Sequence, residues 1–357
     1  MRAMVYDAFQ QRPQVREVPD PVCPPHGAVV RVEATGLCRS DWHGWMGHDD
    51  DITVPHVPGH EFAGTIVETG ATVSDAWNVG ERVTAPFINA CGDCPQCRAG
   101  DHQVCDHQTQ PGFTRWGSFA ERAVVDHAEV NLVRIPDAVD IATAASLGCR
   151  FATAYRAVVE HGGLRDLHVR PWIAVHGCGG VGLSAVMIAA SYGASVVAVD
   201  ISERALARAR ELGAVAVVNG GATDVPDTIR DITGGGAHVS LDALGHTSTF
   251  QNSVNCLRKR GRHVQVGLLL ADHGTQAVAM GPVVANELEL VGSHGMAAHA
   301  YPRMLREIAD GQLNPDLLLG QELSLDEGVD ALMAMSAGSP SGVTILRPPR
   351  SHTNPRP

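Results

Sequence analysis

The first half of the chain carries short apolar or mixed runs, of which Ala28–Val32, Gly64–Glu68 and Arg122–Val125 read as strands. Segments rich in Gly, Pro and Asp separate them and favour turns. From Phe151 the pattern changes. Ala152–Glu160 predicts a helix, and Trp172–Asp200 predicts a strand, a glycine turn, a helix and a second strand. Val215–Val218, Val239–Asp242 and His263–Val266 add strands to that sheet, so this region reads as α/β. Ile173–Val199 holds no Asp, Glu, Lys or Arg and is long enough to cross a bilayer. Its five glycines, His176 and the change from glycine turn to β-branched strand argue against a membrane span. The polar, Pro-rich segment after Arg347 is expected to run over the surface.

A length of 357 residues accommodates two domains, each with a substantial core. The net charge of -12 and a pI near 5.8 disfavour a general nucleic-acid or anionic-membrane surface, while leaving room for a local anion pocket. The start MRAMVYDAF lacks a long apolar segment with a cleavage signal, so no secretion signal is expected. Nine cysteines leave at least one unpaired in any disulfide scheme, and cytoplasmic residence is the expectation.

Cys91, Cys94, Cys97 and Cys105 form a C-x2-C-x2-C-x7-C cluster broken by Gly92, Pro95 and Gly100. Turning residues at those places let four sulfurs converge on one ion. Zinc suits four thiolates, and a site filled by four cysteines has no open position for substrate, so its expected role is structural. Another metal such as iron, or free or disulfide-bonded cysteines, are the alternatives. Cys38 and the pair His60-Glu61 lie upstream and imply a second metal site available for chemistry.

The run from Val175 to Gly182 places G-x-G-x-x-G at Gly177, Gly179 and Gly182, with Gly180 and Val181 between them. The first glycine permits a tight turn, the second the approach of a pyrophosphate and the third close helix–strand packing. Unpaired N–H groups at the helix start then face phosphate. Asp200 ends the following strand, where its carboxylate accepts hydrogen bonds from ribose hydroxyls and repels a 2'-phosphate. NAD is therefore expected over NADP. Arg204 adds positive charge near that ribose or is a solvated helix residue; Asp200 is otherwise a strand-end or capping residue.

With G-L-C-R-S-D-W-H at 36–43, G-H-E at 59–61, the four-cysteine loop, L-G-C-R-F-A-T-A-Y at 147–155 and G-C-G-G-V-G at 177–182, the chain resembles the zinc-dependent alcohol dehydrogenases of the medium-chain dehydrogenase/reductase family over nearly its whole length. The resemblance implies an α/β architecture: a GroES-like catalytic domain, residues 1–152 and 290–357, around a Rossmann doubly wound cofactor domain, residues 153–289. It matches Cys38, His60 and Cys149 to the catalytic metal ligands, so two zinc ions per chain are expected. Asp41 resembles the carboxylate that orients the ligand histidine, with helix capping as the alternative. Glu61 resembles a residue that supports or transiently binds the metal. Ser40 and His43 correspond to a proton path, with helix capping and an ordinary partly exposed histidine as the alternatives; Thr153 corresponds to a residue beside the nicotinamide or simply starts a helix, and Phe87 to a substrate-pocket aromatic. Trp42, Trp45 and Trp116 supply further apolar surface or complete the core. Cys23, Cys178 and Cys256 read as packing residues.

Two features depart from the family pattern. Ser341–Leu346 lacks the basic residue that relatives carry for the cofactor pyrophosphate, and Arg347 and Arg350 are displaced along the chain. The loop from Gly267 to Gly281, with Leu268, Leu269 and Leu270, says little about the alcohol. The expected function is NAD-dependent, zinc-assisted hydride transfer between an alcohol and an aldehyde or ketone, in a homodimer or homotetramer. A polyol or amino-alcohol dehydrogenase is the nearest alternative, and a nonenzymatic NAD-sensing or scaffold protein belongs to a different class.

Overall fold

The computed structural model describes residues 1–164, 170–269, 273–338 and 342–349; Leu270, Ser341, Arg350 and the polar tail lie outside the described residues. The chain divides into two compact units. One takes Met1–Ala152, Gly295–Gly311 and the described residues from Pro315 on, and the other takes Thr153–His294 with Gln312–Asn314.

In the first unit, strand neighbours run Leu319–Ser324, Val343–Arg347, Ala28–Leu37, Glu61–Thr69, Arg82–Thr84 and Val133–Arg134, and Arg122–Val125 also pairs with Ala28–Leu37. Only the first of these pairings is parallel. Ala28–Leu37 is flanked by three partners, which explains why its residues are buried almost throughout instead of alternating. Val30, Val32, Phe62, Ile66 and Val83 pack one core cluster; Met4, Tyr6, Trp45, Phe119, Leu332 and Leu346 pack another. Trp45 is thus a core residue, with its indole N–H donating to the Gln11 carbonyl at 2.7 Å.

The register of one strand pair positions the chemistry. Ala28–Leu37 and Glu61–Thr69 are antiparallel with Gly36 opposite Glu61. The end of one strand therefore meets the start of the other, and Cys38 and His60, each one residue outside its strand, become neighbours. A helix, Arg39–Met46, begins directly after Cys38. The segment expected as a helix over Ala152–Glu160 is helical, but it starts earlier: π-helical Leu147–Phe151 and Arg156–His161 flank α-helical Ala152–Tyr155. Such widened turns redirect side chains and recur at functional sites.

The second unit is a six-stranded parallel sheet in the order Ala214–Asn219, Ser195–Asp200, Trp172–His176, Ala237–Asp242, Leu257–Gln265, Glu289–Gly292. That is the 3-2-1-4-5-6 order of the doubly wound dinucleotide fold. Ala174, Val197, Val199, Val218 and Ile229 form its core cluster. Ile173–Val199, the charge-free stretch, is resolved into strand, turn, helix Gly180–Ser191 and strand, and no helix among the described residues is long and apolar enough to cross a membrane. The strand expected at His263–Val266 begins at Leu257, because exposed Lys259 and Arg260 mask it in the hydropathy pattern. Leu290–Gly292, which the sequence assigned to the first domain, instead form the last strand of this sheet, so the chain leaves the second unit after His294.

Candidate functional site

The four-cysteine loop folds as a turn with a one-turn helix, Pro95–Arg98, capped by Cys94. All four sulfurs lie within 4.8 Å of one another. Backbone N–H groups point at them: Cys94 and Asp93 at Cys91, Cys97 at Cys94, and Cys91 and His107 at Cys105, over 3.3 to 3.4 Å. Donors aimed at sulfur favour thiolate over thiol, which is the form a metal takes.

A second cluster forms from residues far apart in sequence. Cys38 Sγ, a His60 ring nitrogen and Cys149 Sγ lie within 4.8 Å of one another. His60 is fully buried; its Nδ1–H donates to Asp41 Oδ1 at 2.9 Å, while Nε2 is buried with no hydrogen-bond partner. An orphaned imidazole nitrogen between two sulfurs fits a soft, tetrahedral cation and is costly without one. The same Asp41 accepts from the Cys38 and Gly59 N–H groups at 2.8 and 3.0 Å, so orienting His60 and capping the helix are one arrangement. Cys38 is held well below the ordinary thiol range, first by the hydrogen bond from Cys149 and then by Arg150 and His60. Cys149 is held up by the same bond and by burial. Burial opposes charge on His60, but Asp41 and Cys38 outweigh it and raise the imidazole.

Glu61 is fully buried and does not point its carboxylate into this cluster. Its Oε1 accepts from the Cys149 and Arg150 backbone N–H groups at 3.2 and 2.8 Å and from Arg150 Nε at 3.2 Å; its Oε2 pairs with Arg150 Nη2. Burial raises the Glu61 carboxyl against the pull of Arg150. Arg150, which the sequence reading passed over, also donates to the Leu37 carbonyl at 3.0 Å and so ties the Cys149 turn to both strands that adjoin Cys38 and His60. Its position directly after Cys149 was the available signal.

Ser40 and His43 lie three residues apart on helix Arg39–Met46 and therefore share a face. Cys38 Sγ is 3.8 Å from Ser40 Oγ. His43 is pushed down to about 4 by burial, then by Arg39 and His48. Phe87 meets the His60 ring edge-on at 6.2 Å, and Phe113, unforeseen from sequence, approaches it at 5.0 Å. Trp42 is half-buried with its N–H on Ser336 Oγ, and Trp116 is partly exposed with its N–H on the Pro55 carbonyl.

In the second unit Gly177 has φ +92 and a Cβ at Gly182 would lie 1.7 Å from the Gly177 carbonyl oxygen, whereas one at Gly179 would meet nothing within 4 Å. The turn is thus strained at its first glycine, closed at its third and open at its second, the face a phosphate would approach. Gly180 and Val181 begin the helix. Asp200 accepts from the Cys178 N–H at 2.7 Å and the Ser202 N–H at 2.9 Å, which fixes its carboxylate over the turn. Arg204 is exposed in the first turn of helix Glu203–Glu211, and Thr153 is buried at the start of the unit. Arg347 pairs with Glu322 at 2.9 and 3.0 Å, so its charge is already engaged. Cys178 and Cys256 are buried and Cys23 is half-buried; none joins a metal cluster among the described residues.

Comparison with known proteins adds the family. The model of the alcohol dehydrogenase GroES-like domain matches residues 24–137, and that of the zinc-binding dehydrogenase domain matches residues 180–310. An alcohol dehydrogenase of Geobacillus stearothermophilus is 30% identical over 97% of this chain and 99% of its own length. Sorbitol dehydrogenase of Halalkalibacterium halodurans is 30% identical over 91% of this chain and 92% of its own. Among solved structures, alcohol dehydrogenase TADH from Thermus sp. ATN1 aligns with a TM-score of 0.89 at 29% identity, covering 98% of this chain and all of that one. With both domains matched and the likeness running nearly end to end, this chain belongs to the zinc-dependent alcohol dehydrogenases of the medium-chain dehydrogenase/reductase family and is an oxidoreductase of alcohols.

Proposed function

We propose that the protein oxidises a primary or secondary alcohol to an aldehyde or ketone with NAD, reversibly, using one catalytic and one structural zinc per chain. The observation that carries this reading is the buried, unpartnered His60 Nε2 between Cys38 and Cys149, a three-ligand set that leaves one coordination position for substrate oxygen. Cys38, His60 and Cys149 would hold a zinc ion able to supply Lewis-acid polarisation of the substrate oxygen, and NAD held in the second unit would supply the hydride acceptor. Asp41 holds the His60 tautomer that leaves Nε2 free. The pairing of Glu61 with Arg150 favours support of the Cys149 turn over direct ligation by Glu61. Ser40 accepts the hydroxyl proton and His43 passes it towards solvent.

Gly177, Gly179 and Gly182 with the helix N-terminus at Gly180 and Val181 suit a pyrophosphate, and Asp200 suits the two ribose hydroxyls of NAD. Arg204 stands near enough in sequence to add charge there. Thr153 packs beside the nicotinamide, and Phe87 with Phe113 bounds the alcohol. The four sulfurs at Cys91, Cys94, Cys97 and Cys105 hold the structural ion. Free thiols suit a cytoplasmic enzyme, and a homodimer or homotetramer is the assembly we assign.

A polyol or amino-alcohol substrate is the second reading; the likeness to a sorbitol dehydrogenase favours the polyol branch. Comparing kcat/KM for simple alcohols, sorbitol and L-threonine with NAD and NADP decides among them. Zinc content near two per chain with NADH formation is the expected result. A zinc-replete, NAD-binding preparation inert towards the whole panel would remove the enzymatic reading and leave an NAD sensor.

A further inference from the structure

His43 does not end at solvent alone. Its Nδ1 lies 3.0 Å from Nδ1 of His48, with ring centroids 5.3 Å apart. Trp42 packs edge-on against both rings, at 4.9 and 5.7 Å, and holds them as a pair. Gly47, with φ +81, ends helix Arg39–Met46 and bends the chain so that His48 returns over His43. The His48 N–H in turn donates to the His43 carbonyl at 3.0 Å, which fixes the return. His43 is half-buried and His48 is exposed. The charged and titratable groups acting on His43 are Arg39 on its own helix, His48 on the returning loop and Cys38 at the helix start. Arg39 lies over the Trp42 ring, 3.8 Å from its centroid, and its guanidinium donates to the Met335 carbonyl, so its positive charge is anchored beside His43.

We infer that His48 is the outer member of a two-histidine proton relay, taking from His43 the proton released by the alcohol and delivering it to water. One hydrogen occupies the Nδ1–Nδ1 contact; the relay starts with it on His43 Nδ1, which leaves His43 Nε2 as acceptor, and with the His48 hydrogen on Nε2. A proton arriving at His43 Nε2 lets the Nδ1–H bond break towards His48 Nδ1, and the His48 Nε2–H is lost to water. One proton enters and one leaves, and both tautomers end inverted; solvent exchange resets exposed His48, and the next turnover requires His43 to shed its Nε2–H and regain a proton on Nδ1 by way of His48. Burial and then Arg39 disfavour an imidazolium at His43, and the exposed ring five residues on is where the charge meets water.

This inference rests on the reading of Ser40 and His43 as the proton path, and the test separates the two. Alcohol oxidation is followed in zinc-replete wild type, His48→Ala and His43→Ala at saturating NAD, in dilute buffer between about pH 6 and 9. Zinc content and NAD affinity serve as controls. The relay predicts that His48→Ala lowers kcat by about tenfold, alters its pH profile, raises its solvent deuterium isotope effect, and is rescued by added imidazole that leaves wild type unaffected. If His43→Ala is slow while His48→Ala keeps the wild-type kcat, pH profile and indifference to imidazole, the relay stops at His43 and the inference fails alone. If His43→Ala is itself indistinguishable from wild type, the path through Ser40 and His43 fails and the inference with it.

Discussion

Arg150 and Glu61, 89 positions apart, form an ion pair in which the carboxylate is fully buried and the guanidinium nearly so. It joins the π-helical turn of Cys149 to the strand that begins next to His60. A buried pair of this kind gives little net stability compared with apolar residues of the same shape, but removing one partner strands the other charge. Gly36 opposite Glu61 completes the fit, since a Cβ there would sit 2.7 Å from Glu61 Oε2 and 2.9 Å from Arg150 Nη2.

Arg150→Met leaves Glu61 unpaired and is expected to cost about 3–5 kcal/mol. Zinc should also leave the Cys149 site faster, since Glu61 no longer holds that turn. Adding Glu61→Gln removes the stranded charge and should recover part of the loss. Denaturant unfolding and zinc transfer to a chelator check both. Equal stability in Arg150→Met and wild type would contradict the role given to the pair.

The two metal clusters are expected to separate under substitution. Cys94→Ala removes a ligand of the closed loop and should lower the thermal midpoint and soluble yield, because metal binding there is folding free energy. Cys149→Ser should abolish most turnover while leaving about one zinc per chain. Metal analysis beside calorimetry reads both, and wild-type zinc content, stability and turnover in both variants would overturn the two-site assignment.

Asp200→Gly should raise the NADP-to-NAD ratio of kcat/KM. It removes ribose acceptors and the charge that repels a 2'-phosphate. Because Asp200 also accepts from the Cys178 N–H, both absolute rates should fall as the glycine turn loosens. An unchanged ratio in a folded variant would reject Asp200 as the selector.

Acid should weaken the second unit through two buried histidines. Burial pushes His176 down to about 3 and His263 to about 4, each from an ordinary value of 6.5. The unfolded chain then binds protons that the folded chain refuses, so stability is full above about pH 6.5 and falls as pH drops towards 4. At pH 5 the loss is about 2 kcal/mol per histidine. Urea unfolding at pH 7 and pH 5 measures it, and His176→Met, which removes one of the two groups, should flatten the pH dependence.

What the sequence determined by itself was local. The four-cysteine spacing and the run from Val175 to Asp200 each encode a structure within a few dozen residues, where turn chemistry and hydropathy act directly. The candidate metal cluster of Cys38, His60 and Cys149 was decided by tertiary structure. Cys38 and His60 become neighbours only through the antiparallel register that sets Gly36 against Glu61, and Cys149 joins them through a π-turn tied to Glu61. Their identities were legible through family resemblance, but Arg150, Phe113 and the contact between His43 and His48 were not, because pairing across 89 positions or around a left-handed turn leaves no periodic trace. The return to the first unit, expected around Leu290–Gly295, falls at Gly295 and not directly after Glu289. Leu290–Gly292 reads as a short apolar run that suits either sheet, and only hydrogen bonding to Leu257–Gln265 decides which one takes it.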